Sequence, residues 1–181
     1  MEESKNDYMV CARDLKIIWS RDRRYWRWVK DTENSYVAEL LNVCWLKVSG
    51  KVENPNLSPG TQYEVVLVAK MKTRAYGWDA PVNFKFTHPG GTKDWTVNLG
   101  DKFKDSKDQW KDIKLGEFNA SANPGDIEFW LYKYGGKWKS GLVIKGVAVR
   151  PRAKLQNIIL PISGRARILG GGANILEFKD N

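Results

Sequence analysis

The chain of 181 residues is poor in the side chains that most chemistry needs. It has one histidine, His88, in Thr-His-Pro-Gly, and two cysteines, Cys11 and Cys44. One imidazole cannot complete a zinc site, and the cysteines lack ligand spacing. No Ser-His-Asp set has a second supporting feature. Gly170-Gly171-Gly172 has no Gly-Lys-Ser/Thr after it, so no Walker-type phosphate loop is expected. A glycosidase needs two carboxyl groups across a cleft; Glu117, Asp126 and Glu128 are the candidates, and nothing in the sequence sets any two of them face to face. These absences predict a non-enzyme without metal or cofactor. No apolar run reaches the length of a membrane span, so no membrane insertion is expected. The first residues, Met-Glu-Glu-Ser-Lys-Asn-Asp, hold no apolar stretch of the signal-peptide kind. The expected compartment is the cytoplasm, extending to the nucleus. There both cysteines are expected as thiols, buried in apolar strand-like runs.

Aromatic side chains are what the chain has in abundance. There are nine tryptophans, and aromatic residues make up 12% of the chain. Trp19 to Trp28 holds three indoles, a phenol and four guanidinium groups in one short segment. Charged residues interleave the rings, so they cannot all be buried. Trp45 and Trp110 lie in alternating strands and are expected in the core, as is Trp28. Trp19, Tyr25, Trp26 and Trp138 sit at strand ends or in loops, flanked by Arg, Lys, Asp and Ser. A sugar's C–H face stacks on such rings, while its hydroxyls pair with indole N–H, phenol O–H and cationic donors. Single-stranded nucleic acid suits the same parts, with bases on the rings and phosphates on arginines. The net charge of +9 is compatible with RNA and equally with a solvated surface. The residues leave the two ligand classes open.

The hydrophobic pattern is almost all period two. Val10–Trp19, Trp45–Val52, Tyr63–Met71, Val82–Phe86, Trp110–Phe118, Ile127–Tyr134 and Leu142–Val149 read as strands. Thr73–Pro81 reads as a turn region and Gly100–Gln109 as an exposed charged stretch. One helix is predicted over Asn34–Val43, with Val37, Leu40, Leu41 and Val43 on one side and Asn34 or Ser35 as its cap. The fold expected is all-β, an antiparallel β-sandwich of jelly-roll kind with one short helix. The organisation expected is a flexible tail over 1–9, a domain over 10–152 and a C-terminal extension over 153–181 without a motif.

Several separated stretches resemble one family. They are Ala12-Arg13-Asp14-Leu15, Trp19 with Tyr25-Trp26-Arg27-Trp28, Val37-Ala38-Glu39-Leu40 and Val43-Cys44-Trp45-Leu46. Further on they are Trp110 with Ile113-Lys114-Leu115-Gly116-Glu117-Phe118, and Lys139-Ser140-Gly141-Leu142 through Lys145-Gly146 to Val149-Arg150-Pro151. Together they resemble the phloem protein 2 (Nictaba-related) lectins of plants over about residues 8–152. The resemblance implies a nucleocytoplasmic lectin domain without cofactor, found in phloem sieve elements and companion cells. It implies binding of N-acetylglucosamine oligomers (chitooligosaccharides) and of the chitobiose core on glycoproteins, in phloem transport or defence. It further implies a homodimer, with phloem filament protein and RNA as other partners. The family tryptophans linked to sugar match Trp19 and Trp26. Its acidic positions near the last hairpin fall near Asp126 and near Lys133, the second with reversed charge. Gly136-Lys137-Trp138-Lys139 is similar to a loop of chitobiose-binding F-box proteins, which by analogy brings Trp138 and Lys139 to the same end. The site expected is Trp19, Tyr25, Trp26, Trp138 and Lys139. An RNA-binding or structural role through the basic surface is the alternative.

Overall fold

The computed structural model describes residues 7–152. The expected extension over 153–181, and all but the end of the expected tail, lie outside them. Alternation of side chains dictates what forms. Tyr63, Val65, Leu67, Ala69 and Met71 point one way along one strand and are all but fully buried. Their strand is too apolar on that side to stand alone and must cover a second sheet.

In chain order the strands are β1 (Tyr8–Cys11), β2 (Lys16–Ile17), β3 (Trp26–Lys30), β4 (Tyr36–Leu40), β5 (Leu46–Val52), β6 (Gln62–Tyr76), β7 (Val82–His88) and β8 (Gly91–Val97). A short helix α1 (Leu99–Lys102) precedes β9 (Lys111–Asn119), β10 (Ile127–Lys133) and β11 (Ser140–Pro151). One sheet runs β3-β4-β11-β6-β9, with β1 also on β11, and the other runs β2-β5-β10-β7-β8. Every pairing is antiparallel. The inner faces meet in one core that holds Leu40, Leu46, Leu67, Phe84, Phe86, Phe129 and Ile144. The fold is the expected all-β sandwich.

The helix expected over Asn34–Val43 is instead a hairpin. Tyr36–Leu40 forms β4, paired with β3 from Trp26↔Leu40 to Lys30↔Tyr36. The turn explains the difference. Asp31 Oδ1 accepts from the backbone N–H of Glu33 at 2.9 Å and of Ser35 at 3.0 Å. Asn34 takes a φ of 65°, which asparagine tolerates better than most residues. These bonds to backbone N–H, Ser35 first, hold the Asp31 carboxyl below its ordinary pKa. Once the turn closes, β11 on the far side makes β4 an interior strand, and its pairing overrides the local periodicity.

Other boundaries move for similar reasons. Tyr8 and Met9, expected in the tail, pair with Val149 and Ala148 as part of β1. The Val10–Trp19 run breaks into β1, a 3-10 turn at Ala12–Asp14 and β2. The predicted turn after Thr73 starts late, because β6 continues to Tyr76 opposite Ser140. Within the charged 100–109 stretch Phe103 is fully buried, just after α1, whose start is capped by Asn98 Oδ1 accepting from Asp101 N–H at 3.0 Å. The cysteines are not buried: Cys11 is exposed and Cys44 half-exposed. No helix among the described residues is long and apolar enough to cross a membrane.

Candidate functional site

Strand direction gathers one set of termini at one end of the sandwich. Trp26 pairs with Leu40, Lys133 with Leu46 and Ser140 with Tyr76. Ile17 pairs with Val48, so the chain leaving β2 runs toward Leu46. The segments 18–25, 41–45, 76–81 and 134–139 therefore lie at one end. They carry Trp19, Trp45, Tyr76, Tyr134 and Trp138, five of the seven exposed large hydrophobic residues among those described.

Trp19 is 49% exposed and sits at the third position of a turn closed by Ser20 N–H donating to Ile17 O at 3.1 Å. Its φ is 66°, a region where a bulky side chain is uncommon and costly. Tyr25 is half-buried, with its ring centre 5.3 Å from that of Trp19. The two expected ring partners are thus adjacent. Beside them, Arg24 clamps Asp22 with two of its guanidinium nitrogens, Nη2 at 2.7 Å and Nε at 3.0 Å. That clamp holds the Asp22 carboxyl at about 2. Arg27 is bound to Glu39 at 2.7 Å. Half of the guanidinium charge in the aromatic stretch is therefore neutralised locally.

Trp26 is not where the expectation put it. It is 2% exposed, inside the core cluster. Parity is the reason: Trp26 and Trp28 are two apart in β3, so both point inward, and Arg27 points out. Trp28 is half-buried as a core neighbour, and its Nε1 donates to Ser20 O at 3.2 Å. Trp26 reaches solvent only as part of the wall of a hollow of about 540 Å³ shared with Ser20, Arg21, Arg23 and Leu41. Its Nε1 has no hydrogen-bond partner among the described residues. A ring so enclosed cannot offer a face for stacking.

Trp138 is 52% exposed, in the loop between β10 and β11. Gly135 and Gly136 turn that loop with φ of 69° and 74°. Gly77 passes so close beneath it that a Cβ there would lie 2.0 Å from Trp138 O. Lys137 pairs with Asp79 and reinforces the same contact. Lys139, expected as a ligand donor, is 3% exposed. Its Nζ donates to Cys44 O at 2.9 Å, Lys137 O at 2.9 Å and Gly135 O at 3.3 Å. An ammonium has three protons, and all three are used. Burial lowers its pKa. Lys139 is a staple between the 41–45 and 134–139 segments, not a free donor.

Trp45 and Tyr134 were not expected at the site. Trp45 is 44% exposed rather than buried, and its ring stacks on Tyr134 with centres 4.2 Å apart. Tyr132 continues the stack at 5.0 Å. The phase of β5 carried the signal: Leu46, Val48 and Val52 point inward, so Trp45 must point out. Trp110, also expected in the core, is half-buried on the outer side, with Lys70 and Lys145 Nζ at 4.6 and 5.3 Å from its ring. Asp126, near a family acidic position, lies at the opposite end. There its Oδ1 accepts from Asn54 N–H at 2.8 Å, so it takes no part among the rings.

No three His, Cys, Asp or Glu side chains among the described residues converge as metal ligands. The ring-bearing end offers aromatic faces and scattered polar groups.

Comparison with known proteins agrees in extent with the described sheets. The model of the family described as Phloem protein 2 matches residues 5–151. Phloem protein 2-like A1 of Arabidopsis thaliana is 40% identical over 83% of this chain and 64% of its own length. A lectin from Luffa acutangula is 39% identical over 81% of this chain and 71% of its own. The chain thus spans about two thirds of these relatives. A solved family 35 carbohydrate binding module from Clostridium thermocellum is similar over 79% of this chain and 96% of its own, at 13% identity and a TM-score of 0.44. With the match running from the first strand to the last, the chain belongs to the phloem protein 2 family.

Proposed function

We propose that the chain is a carbohydrate-binding lectin that takes N-acetylglucosamine oligomers and the chitobiose core of N-glycans at its ring-bearing end, serving phloem transport or defence. The observation that carries this is the gathering of exposed aromatic residues there, with Trp19 on Tyr25, Trp45 on Tyr134, and Trp138 at the same end. Soluble domains do not leave so many large rings uncovered at one end without use. The lectin from Luffa acutangula supports the ligand class. Trp19 is the leading stacking ring, Tyr25 its support and Trp138 a second platform. Trp26 shapes the floor and Lys139 holds the loops.

Calorimetric titration with chitotriose tests this. Trp19→Ala and Trp138→Ala, both at exposed positions, are expected to stay folded and to lose about tenfold or more in affinity. Unchanged affinity in both folded variants sinks the site. RNA is the rival ligand, favoured by Arg21 and Arg23, which make no ion pair among the described residues. Phosphate binding falls steeply with salt, whereas stacking on a neutral sugar barely responds. An oligoribonucleotide bound more tightly than chitotriose, with a steep salt slope, decides for RNA.

A further inference from the structure

Period two sorts β10 cleanly. Ile127, Phe129 and Leu131 are in the core, which leaves Glu128, Trp130 and Tyr132 on the outer face of the five-stranded sheet. Tyr134 extends that face past the strand end, stacked on Tyr132 and on Trp45. Trp130, Tyr132, Tyr134 and Trp45 therefore form a row of rings that begins at the ring-bearing end and continues along the sheet. From Trp130 to Tyr134 it spans roughly 14 Å, at about 3.4 Å per residue. That is longer than one pyranose ring.

Hydrogen-bonding groups flank the row. Trp130 lies between Ser49 and Lys85, Tyr132 between Lys47 and Asn83, and Glu128 between Lys51 and Thr87. The side chains of Ser49, Asn83 and Glu128 make no hydrogen bond or ion pair among the described residues. A hollow of about 750 Å³ opens on the same face, walled by Trp130, Ser49, Lys16 and Glu128.

We propose that this face is a track for an extended neutral polysaccharide, the glycan held at the ring-bearing end continuing along β10. This rests on the carbohydrate reading above. The glycan runs from Trp45 along the edges of the stacked Tyr134 and Tyr132 rings to Trp130, and its hydroxyls reach Ser49, Asn83 and Glu128. A phosphate backbone is the rival occupant, since Lys16, Lys47 and Lys85 share the face and Lys85 Nζ lies 5.6 Å from the Trp130 ring centre. Asp14, Glu53 and Glu128 line the hollow and oppose it, and Lys51 is already paired with Glu53 at 3.7 Å and Asp126 at 4.0 Å.

The test compares chitobiose and chitohexaose by calorimetry on the full chain. Wild type is expected to bind the hexamer more tightly. The double variant Trp130→Thr, Tyr132→Thr, which keeps β-branched strand formers, is expected to bind chitobiose as wild type does and to lose about tenfold for the hexamer. Trp130→Phe is expected to restore most of that loss, and Asn83→Ala to give a smaller one. Equal hexamer affinity in wild type and the double variant overturns the track while leaving the ring-bearing end intact. Wild type that binds neither sugar overturns the carbohydrate reading and the track together. Oligouridylate binding that the double variant loses, with a steep salt slope, assigns the face to RNA instead.

Discussion

At one end of the sandwich Trp19, Trp45, Tyr76, Tyr134 and Trp138 stand 42–52% exposed. At the other end a cleft of about 400 Å³ is lined by Asn54, Pro55, His88, Phe118, Asn123 and Pro124. The cleft is a formed cavity, yet its groups are occupied with one another. Asn54 Oδ1 accepts from Gly125 N–H at 3.2 Å, Ser121 Oγ from Asn123 N–H at 3.0 Å and His88 Nδ1 from Gly90 N–H at 3.2 Å. Phe118 is 2% exposed and contacts Phe86 and His88. Those side chains close loops. At the ring-bearing end the polar work is done by Lys139, Arg24 and Lys137, and the ring faces are left over. A cavity by itself does not mark a site; groups left without partners do.

The largest effect that can break this contrast lies inside the aromatic stretch. Trp26→Ala empties a fully packed position and is expected to cost about 3–5 kcal/mol in urea unfolding. Any loss of sugar binding it causes is then a loss of fold. Trp26→Phe keeps most of the packing and removes the unpartnered Nε1–H. Trp19→Gly is expected to behave oppositely. It relieves a left-handed backbone, so stability rises by roughly 0.5–1 kcal/mol while chitotriose binding falls. If Trp19→Gly is instead less stable than wild type, the ring is packing material and the contrast fails at its strongest point.

Next in size is the staple. Lys139→Met leaves three carbonyls without their donor and is expected to cost about 2–3 kcal/mol. Because Lys139 ties the 41–45 segment to the loop bearing Trp138, affinity should fall with stability, unlike in Trp19→Ala. A Lys139→Met protein with native stability and no sugar binding returns Lys139 to the ligand.

The sandwich was legible because period-two alternation is a property of each strand alone. The exposure of Trp19 and Trp138 was legible because charged neighbours keep rings at strand ends out of a core. Trp26 was not, since for it only the phase of a strand decides. One residue of shift exchanges the two faces, and β3 is too short to fix its phase without its partner. Trp45 was within reach, because the alternation of Leu46, Val48 and Val52 in β5 turns it outward. Lys139 was illegible for another reason. Whether a lysine serves a ligand or a set of carbonyls depends on loops 92 and 95 residues apart in sequence from their partners, as the Cys44–Gly136 and Cys44–Lys139 contacts show. The 31–35 turn was within reach, as Asp-Thr-Glu-Asn-Ser is rich in turn formers, but the apolar run after it matched a helix equally well.

The smallest expected effect belongs to the cleft end and comes from His88. Burial, and then the charge of Lys93, lower its pKa below the ordinary 6.5. Between the lowered folded value and 6.5 the unfolded chain binds more protons than the folded one, so folding stability falls as pH drops through that interval. It levels off once the folded imidazole also protonates. Thermal unfolding between pH 7.5 and 5.5 should show this decline, and His88→Phe should flatten it. The carboxyl of Asp22, held at about 2, stays ionised throughout, and lowered values keep Asp31 and Asp79 ionised as well. His88 is the chain's one histidine and is far from the rings, so chitotriose affinity should be the same at both pH values. An affinity that follows the His88 titration, and ceases to in His88→Phe, means that protonating one end changes the other. The two ends would then be coupled through the core that separates them.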